Sequence, residues 1–241
     1  MLPYISEFVG TALLILLGTG VVANVILKKS NMHGGGVVVI TVAWGLAVMI
    51  PAYIFGYASG AHFNPALTVA LAVNGTFPWE MVPGYFIAQM AGGFVGGVLT
   101  HALYKDHLDA QEDAETKLGV FCTRPSIPNY YRNFLSETIG TFVLVFAILG
   151  IAQVPGIAGG LDKIFVFGII VSVGMSMGGL TGYAINPARD MGPRLAHFVM
   201  PIKGKGDSNF RYAMVPFTAP YVGGILAVLL YKAIPWVPVA A

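Results

Sequence analysis

The sequence predicts an all-α membrane protein with six transmembrane helices, two half-spanning re-entrant helices and an inverted 3+3 repeat. Three observations carry that expectation. Of 241 residues, 56% are hydrophobic and 10% charged, where soluble domains average about 25% charged. Six apolar stretches are long enough to cross a bilayer. Two Asn-Pro-Ala tripeptides, Asn64-Pro65-Ala66 and Asn186-Pro187-Ala188, each precede a stretch too short to do so.

The six stretches lie near 4–27, 37–57, 84–104, 133–152, 164–179 and 213–231, close to the ~20 residues that span about 30 Å of hydrocarbon. The chain enters the first directly from Met1-Leu2-Pro3, without a basic leader or a small-residue cleavage pattern, so this segment is expected to be retained as a span. A polar loop, 105–132, divides the single membrane domain 1–241 into halves 1–104 and 133–241.

The halves repeat each other. Ser6-Glu7-Phe8-Val9-Gly10-Thr11 returns as Ser136-Glu137-Thr138-Ile139-Gly140-Thr141, and Gly60-Ala61-His62-Phe63-Asn64-Pro65-Ala66 as Gly182-Tyr183-Ala184-Ile185-Asn186-Pro187-Ala188. Three spans per half is an odd number, so the second half begins on the opposite side and the repeats are inverted.

Asparagine is a favoured helix cap and proline suits the first helical turn, so Asn64 and Asn186 are read as helix starts. The segments behind them, 66–73 and 188–200, would rise about 15 Å at 1.5 Å per residue, half the hydrocarbon. In inverted halves the two starts meet head to head. Non-helical backbone at that depth must be buried in protein or line a water-filled cavity.

On these residues the chain resembles the major intrinsic protein family, the aquaporins and glycerol facilitators. Asn186-Pro187-Ala188-Arg189-Asp190 is the longer form similar to the glycerol-conducting branch; Arg194 and Pro220 fit that branch, whereas Tyr221 departs from it. The resemblance implies a passive channel for glycerol and other small uncharged solutes, with water, urea, dihydroxyacetone, hydrogen peroxide and protonated lactic acid as further permeants. Its selectivity filter falls on Trp44, Gly174, Tyr183 and Arg189. Glycine at 174 would leave room for a carbon backbone, and Tyr183 departs from the phenylalanine of well-known bacterial relatives. The carbonyls of Gly60, Ala61, His62, Tyr183, Ala184 and Ile185 would form an acceptor ladder, with the Asn64 and Asn186 amides as donors. The resemblance also implies a homotetramer, multi-pass in the plasma membrane, with cytoplasmic termini; counting loop Lys and Arg alone points to the opposite orientation.

Glu7 and Glu137 are carboxylates at membrane depth, expected to accept from N–H groups of the irregular loops, with proton coupling in a transporter as the alternative. Arg189 is expected to line the pore, against the alternative of an ion pair with Asp190, which is assigned to loop support. A water-selective pore is the other alternative function. The glycines of Gly92-Gly93-Phe94-Val95-Gly96-Gly97 and Gly223-Gly224 are expected to let spans pack closely. Cys122 reads as an incidental loop residue, and the histidines lack metal-binding spacing. A net charge of +2 without a sustained basic run does not suggest nucleic acid. No cofactor, metal or catalytic group is expected.

Overall fold

The computed structural model describes residues 1–157 and 160–236. In chain order the helices are α1 (Leu2–Ile26), α2 (Gly36–Ser59), α3 (Pro65–Asn74), α4 (Val82–Ala110), α5 (Ala114–Phe121), α6 (Tyr130–Ile151), α7 (Leu161–Thr181), α8 (Pro187–Val199) and α9 (Phe210–Ala233), with a 3₁₀ turn, Trp79–Met81, leading into α4. Six of them, α1, α2, α4, α6, α7 and α9, are long and apolar enough to cross a membrane. Large apolar side chains such as Val37, Ile54, Ile87, Leu103 and Leu229 stand on the outer surface. That is stable where lipid replaces water, and the chain is a multi-pass membrane protein.

The packing follows the sequence duplication. Helix α1 packs on α4 and α2; in the second half α6 packs on α9 and α7. The short helices cross between halves: α3 lies against α9, and α8 against α4. Glycines make these approaches possible. A Cβ at Gly92 would overlap the Phe8 carbonyl, and one at Gly96 would lie 2.6 Å from the Ala12 carbonyl, both on α1. On the neighbouring face of α4, Cβ atoms at Gly93 and Gly97 would lie 2.7 Å from Ala188 O and Ala196 Cβ of α8. The two glycine pairs therefore serve two different helices. Overpacking at such sites costs about 1–3 kcal/mol each.

The segment 105–132 is not simply a loop. Helix α4 continues past a non-helical Tyr104 (φ −109°, ψ 16°) to Ala110, and α5 follows. Asp113 caps α5 by accepting from Thr116 N at 2.8 Å and Thr116 Oγ1 at 2.5 Å. The Thr116 hydroxyl and amide hold the Asp113 carboxyl below the usual carboxylate range. The helix then folds inward. Lys117 is buried and donates to the Lys203 carbonyl. Cys122, expected to be incidental, is only 3% exposed, and burial pushes its thiol up to about 12. The expected polar loop is in part helical, and the long-range contacts of α5 with α1 and α8 make it a cover over one end of the bundle.

Candidate functional site

Asn64 and Asn186 cap α3 and α8 with nearly the same backbone, φ −152° and ψ 113° against φ −158° and ψ 112°. Each side-chain oxygen accepts from two N–H groups of its own helix: Ala66 and Leu67 at 3.0 and 3.4 Å, Ala188 and Arg189 at 3.0 and 3.2 Å. Each amide nitrogen donates across to the other half, Asn64 to the Ile185 carbonyl at 2.9 Å and Asn186 to the Phe63 carbonyl at 2.8 Å. The two helix starts therefore lie side by side in the interior. An amide NH₂ carries two hydrogens, so one per asparagine remains for a third partner. The Ile185 carbonyl gives one lone pair to Asn64 and keeps a second.

The segments before the caps have unusual backbone. Ala61 and Phe63 have φ of 54° and 48°, Tyr183 and Ile185 of 38° and 44°. Left-handed geometry is rare for such residues and costs on the order of 1–3 kcal/mol each unless the surroundings enforce it. The intervening His62 and Ala184 are not left-handed. Alternating the sign of φ swings successive carbonyls towards one side of the strand rather than to opposite sides.

Two buried glutamates hold this geometry. Glu7 Oε1 accepts from Ser59 Oγ at 2.7 Å and His62 N at 2.9 Å, and its Oε2 from Phe63 N at 2.7 Å and Gln89 Nε2 at 2.8 Å. Glu137 accepts from Ala184 N at 3.0 Å and Ile185 N at 2.8 Å. Tyr85 donates to the Ser59 carbonyl at 2.7 Å, and the His62 ring, bonded through Nδ1 to Thr68 Oγ1 at 3.1 Å, packs on Phe77 and Tyr85. Gln89 was not anticipated; an amide within an apolar span was the available signal.

Two cavities run along these segments. A cavity of about 170 Å³ is lined on one side by Gly60, Ala61, His62, Ala184 and Ile185 with both cap asparagines, and elsewhere by apolar residues including Leu14, Val48, Leu144 and Ile170. A wider one, about 410 Å³, is lined by Thr41, Gly174, Gly178 and residues 122–124 among others. Trp44, Tyr183 and Arg189 line both and so form the partition. The Arg189 guanidinium sits 4.0 Å over the Trp44 ring, a cation–π arrangement worth about 0.5–2 kcal/mol. Its Nη1 and the Tyr183 hydroxyl are buried without a hydrogen-bond partner among the described residues.

The room expected beside Gly174 is taken by Tyr183. A Cβ at Gly174 would lie 2.8 Å from Tyr183 Cζ, and one at Gly178 would lie 2.7 Å from Cδ1. Two glycines one helical turn apart form a slot for the ring, which withdraws the tyrosine towards α7. Gly18 likewise makes room for the Trp44 indole.

Asp190 does not pair with Arg189. Its Oδ1 takes Arg194, with Nη2 at 2.7 Å and Nε at 2.9 Å, and its Oδ2 takes Thr123 N at 2.7 Å and Oγ1 at 2.6 Å. Arg194 also donates to the carbonyls of Thr123, Ser208 and Asn209 at 2.9, 2.8 and 3.2 Å. A fully buried ion pair is tolerable only when its remaining hydrogen-bonding capacity is filled, as here. The pair ties α8 to residues 123 and 208–209 and leaves Arg189 without a carboxylate. Thr123 was invisible in the sequence, since nothing local marks its contact with Asp190, 67 residues away.

Comparison with known proteins agrees with this architecture. The chain is 52% identical over 232 residues to a probable glycerol uptake facilitator protein of Thermotoga maritima, covering 96% of this chain and 99% of that one. It is 50% identical over 233 residues to the glycerol uptake facilitator protein of Bacillus subtilis, covering 97% and 85%. The X-ray structure of the aquaglyceroporin from Plasmodium falciparum superposes with a TM-score of 0.83 at 30% identity, covering 96% of this chain and 95% of that one. The profile described as "Major intrinsic protein" matches residues 2–231, and the chain belongs to that family.

Proposed function

We propose that the chain is a passive channel for glycerol and other small uncharged solutes, including water, with the pore running through the two cavities and the partition between them. The observation that carries this is the cross-bonded pair of asparagine caps facing a lumen with one polar and one apolar wall. A solute entering a narrow tube must replace its hydration shell or bear a large desolvation cost. Carbonyls of residues 60–62 and 183–185 supply acceptors, the free amide hydrogens of Asn64 and Asn186 supply donors, and the apolar wall accommodates CH groups. Urea, dihydroxyacetone, hydrogen peroxide and protonated lactic acid have comparable size and polarity.

Helices α3 and α8 have 10 and 13 residues, about 15 and 20 Å at 1.5 Å each, short of a ~30 Å core. They enter from opposite leaflets as re-entrant segments of an inverted repeat, 1–104 and 133–241, within one channel domain. Their electropositive N-termini, about half a charge each, and Arg189 repel cations and protons. Trp44, Gly174, Tyr183 and Arg189 form the selectivity filter: Trp44 and Tyr183 face carbon, and the Arg189 guanidinium donates to solute oxygen. The donor-filled carboxylates of Glu7 and Glu137 support a holding role rather than proton carriage. The protein assembles as a homotetramer with cytoplasmic termini.

Isotonic swelling of proteoliposomes tests this reading. Glycerol should swell loaded vesicles far faster than protein-free ones; equal rates would remove the proposal. Gly174→His should cut glycerol flux about tenfold or more, because the new side chain displaces the Tyr183 ring into the lumen. Unchanged glycerol flux in that variant would place the filter elsewhere.

A further inference from the structure

The two cavities differ in charge. Arg189 borders both; among the other described lining residues, the smaller has one acid and one base, Asp162 and Lys163, which pair with each other. The wider adds Arg124 to Arg189 and has no carboxylate among its described lining residues. Arg189 is unpaired because Asp190 is filled by Arg194 and Thr123, and its Nη1 is buried without a partner. Arg124 has an ion-pair partner in Glu115, but that carboxylate is outside the cavity lining and its side chain is 78% exposed. Exposed pairs of this kind are weak and exchange readily.

We propose that small organic carboxylates bind in the wider cavity, held by Arg124 and Arg189, and block solute flux from that side. This rests on the channel reading. A planar guanidinium presents paired donors that match a carboxylate, and Arg189 has donor capacity to spare within a cavity free of competing acids. The ligand cannot continue, because the partition would have to take a full charge through a passage lined by Trp44 and Tyr183, at a desolvation cost far above that for glycerol. A neutral solute passes the same point, whereas an anion stops there.

The test uses full-length protein in vesicles at pH 7.5 and low salt, with disodium succinate as probe and the uncharged diamide succinamide as control, each equal on both sides. Succinate should slow glycerol swelling about threefold and succinamide should not, and the block should fade in 0.3 M NaCl, where the screening length falls below about 10 Å. Arg124→Gln should keep the basal glycerol rate and lose the block. Glu115→Gln, which frees Arg124, should shift the block to lower succinate, and decides the matter should the first variant fail to fold. Glycerol flux that succinate leaves unchanged, a block shared by succinamide, or a block indifferent to both variants overturns the inference. No glycerol flux in wild type would instead overturn the channel reading.

Discussion

Residues 60–66 and 182–188 follow one backbone course: φ is 82° and 83° at Gly60 and Gly182, 54° and 38° at Ala61 and Tyr183, and 48° and 44° at Phe63 and Ile185. Their side chains diverge. The first segment is surrounded by support, with Ser59, Gln89, Tyr85 and Thr68 all bonded into the network around Glu7 and His62. The second has a barer glutamate, and carries Tyr183 where the first has Ala61 and Arg189 where the first has Leu67. Caps, strained torsions and glutamate acceptors are what the irregular turn before each short helix requires in both halves. Positions that only face the cavities are free to specialise, and the specialised side chains sit in the second half.

The largest expected effect probes the supports. In Glu137→Gln an amide NH₂ replaces one of two oxygens that each accept a backbone N–H. A buried unpaired donor costs about 1–3 kcal/mol, and the loss of charge weakens the remaining bond, so about 3 kcal/mol is expected. Glu7→Gln should cost about 1 kcal/mol less, because the unpartnered Oε1 of Gln89 can flip towards the new amide. Thermal unfolding in detergent compares the two. An equal loss, or a greater one at Glu7, would break the idea that the first half is the better buttressed.

Gly10 and Gly140 occupy equivalent positions on α1 and α6, each beneath a left-handed residue. A Cβ at Gly10 would overlap the Phe63 ring, whereas one at Gly140 would come within 2.9 Å of Ile185 Cγ2. Gly10→Ala should therefore cost about 2 kcal/mol and Gly140→Ala about 1, read by the same unfolding measurement. Equal costs would mean that the Phe63 ring can swing aside and that its packing does not fix the turn.

What the sequence made legible follows this division. Six spans, two short helices and their caps are local properties of apolar length, Asn and Pro, and they lie within a few residues of where the pattern puts them. The duplicated glutamates pointed to the loop N–H groups, because a buried carboxylate needs donors and an irregular turn has them to spare. The cross-bond from Asn64 to Ile185, the choice of Arg194 over Arg189 by Asp190, and the Thr123 contact join residues brought together only by tertiary packing. The polar loop expected at 105–132 hid a helix for the same reason: its charges dominate the composition, but the apolar face of α5, with Leu118, Val120 and Phe121 buried, is drawn onto the bundle. The Tyr183 slot needed both glycines and the ring to be seen at once.

Arg189→Leu makes position 189 match Leu67 and removes the one full charge that distinguishes the second half at the partition. Proton leak, measured as collapse of a pH gradient across vesicles, should rise about tenfold, equivalent to about 1.4 kcal/mol of barrier. Glycerol flux should stay within about threefold of wild type, since carbonyls and cap amides still line the path. A gradient as stable as wild type would show that the two helix N-termini suffice to exclude protons, and would erase the functional asymmetry between the halves.

The smallest effect concerns one oxygen. Tyr183→Phe keeps the ring in the slot made by Gly174 and Gly178 and deletes a hydroxyl that is buried without a partner among the described residues. An unsatisfied hydroxyl contributes nothing to the folded state, so stability should hold or rise slightly. On the channel reading, a solute oxygen in transit is expected to draw on this hydroxyl and the Arg189 guanidinium together; without the hydroxyl only the arginine remains. Water needs hydrogen-bond replacement at every step and has no CH surface to offset the loss, so its flux should fall about twofold. Glycerol, with its carbon backbone against Trp44 and the ring, should change less, about 0.4 kcal/mol or below. Stopped-flow shrinkage against sucrose and isotonic swelling with glycerol give the two rates from one vesicle preparation. An equal fall in both would make the hydroxyl a general entrance group rather than a discriminator, whereas a fall in glycerol alone would put its contact with the triol and reverse the assignment of the aromatic corner to carbon.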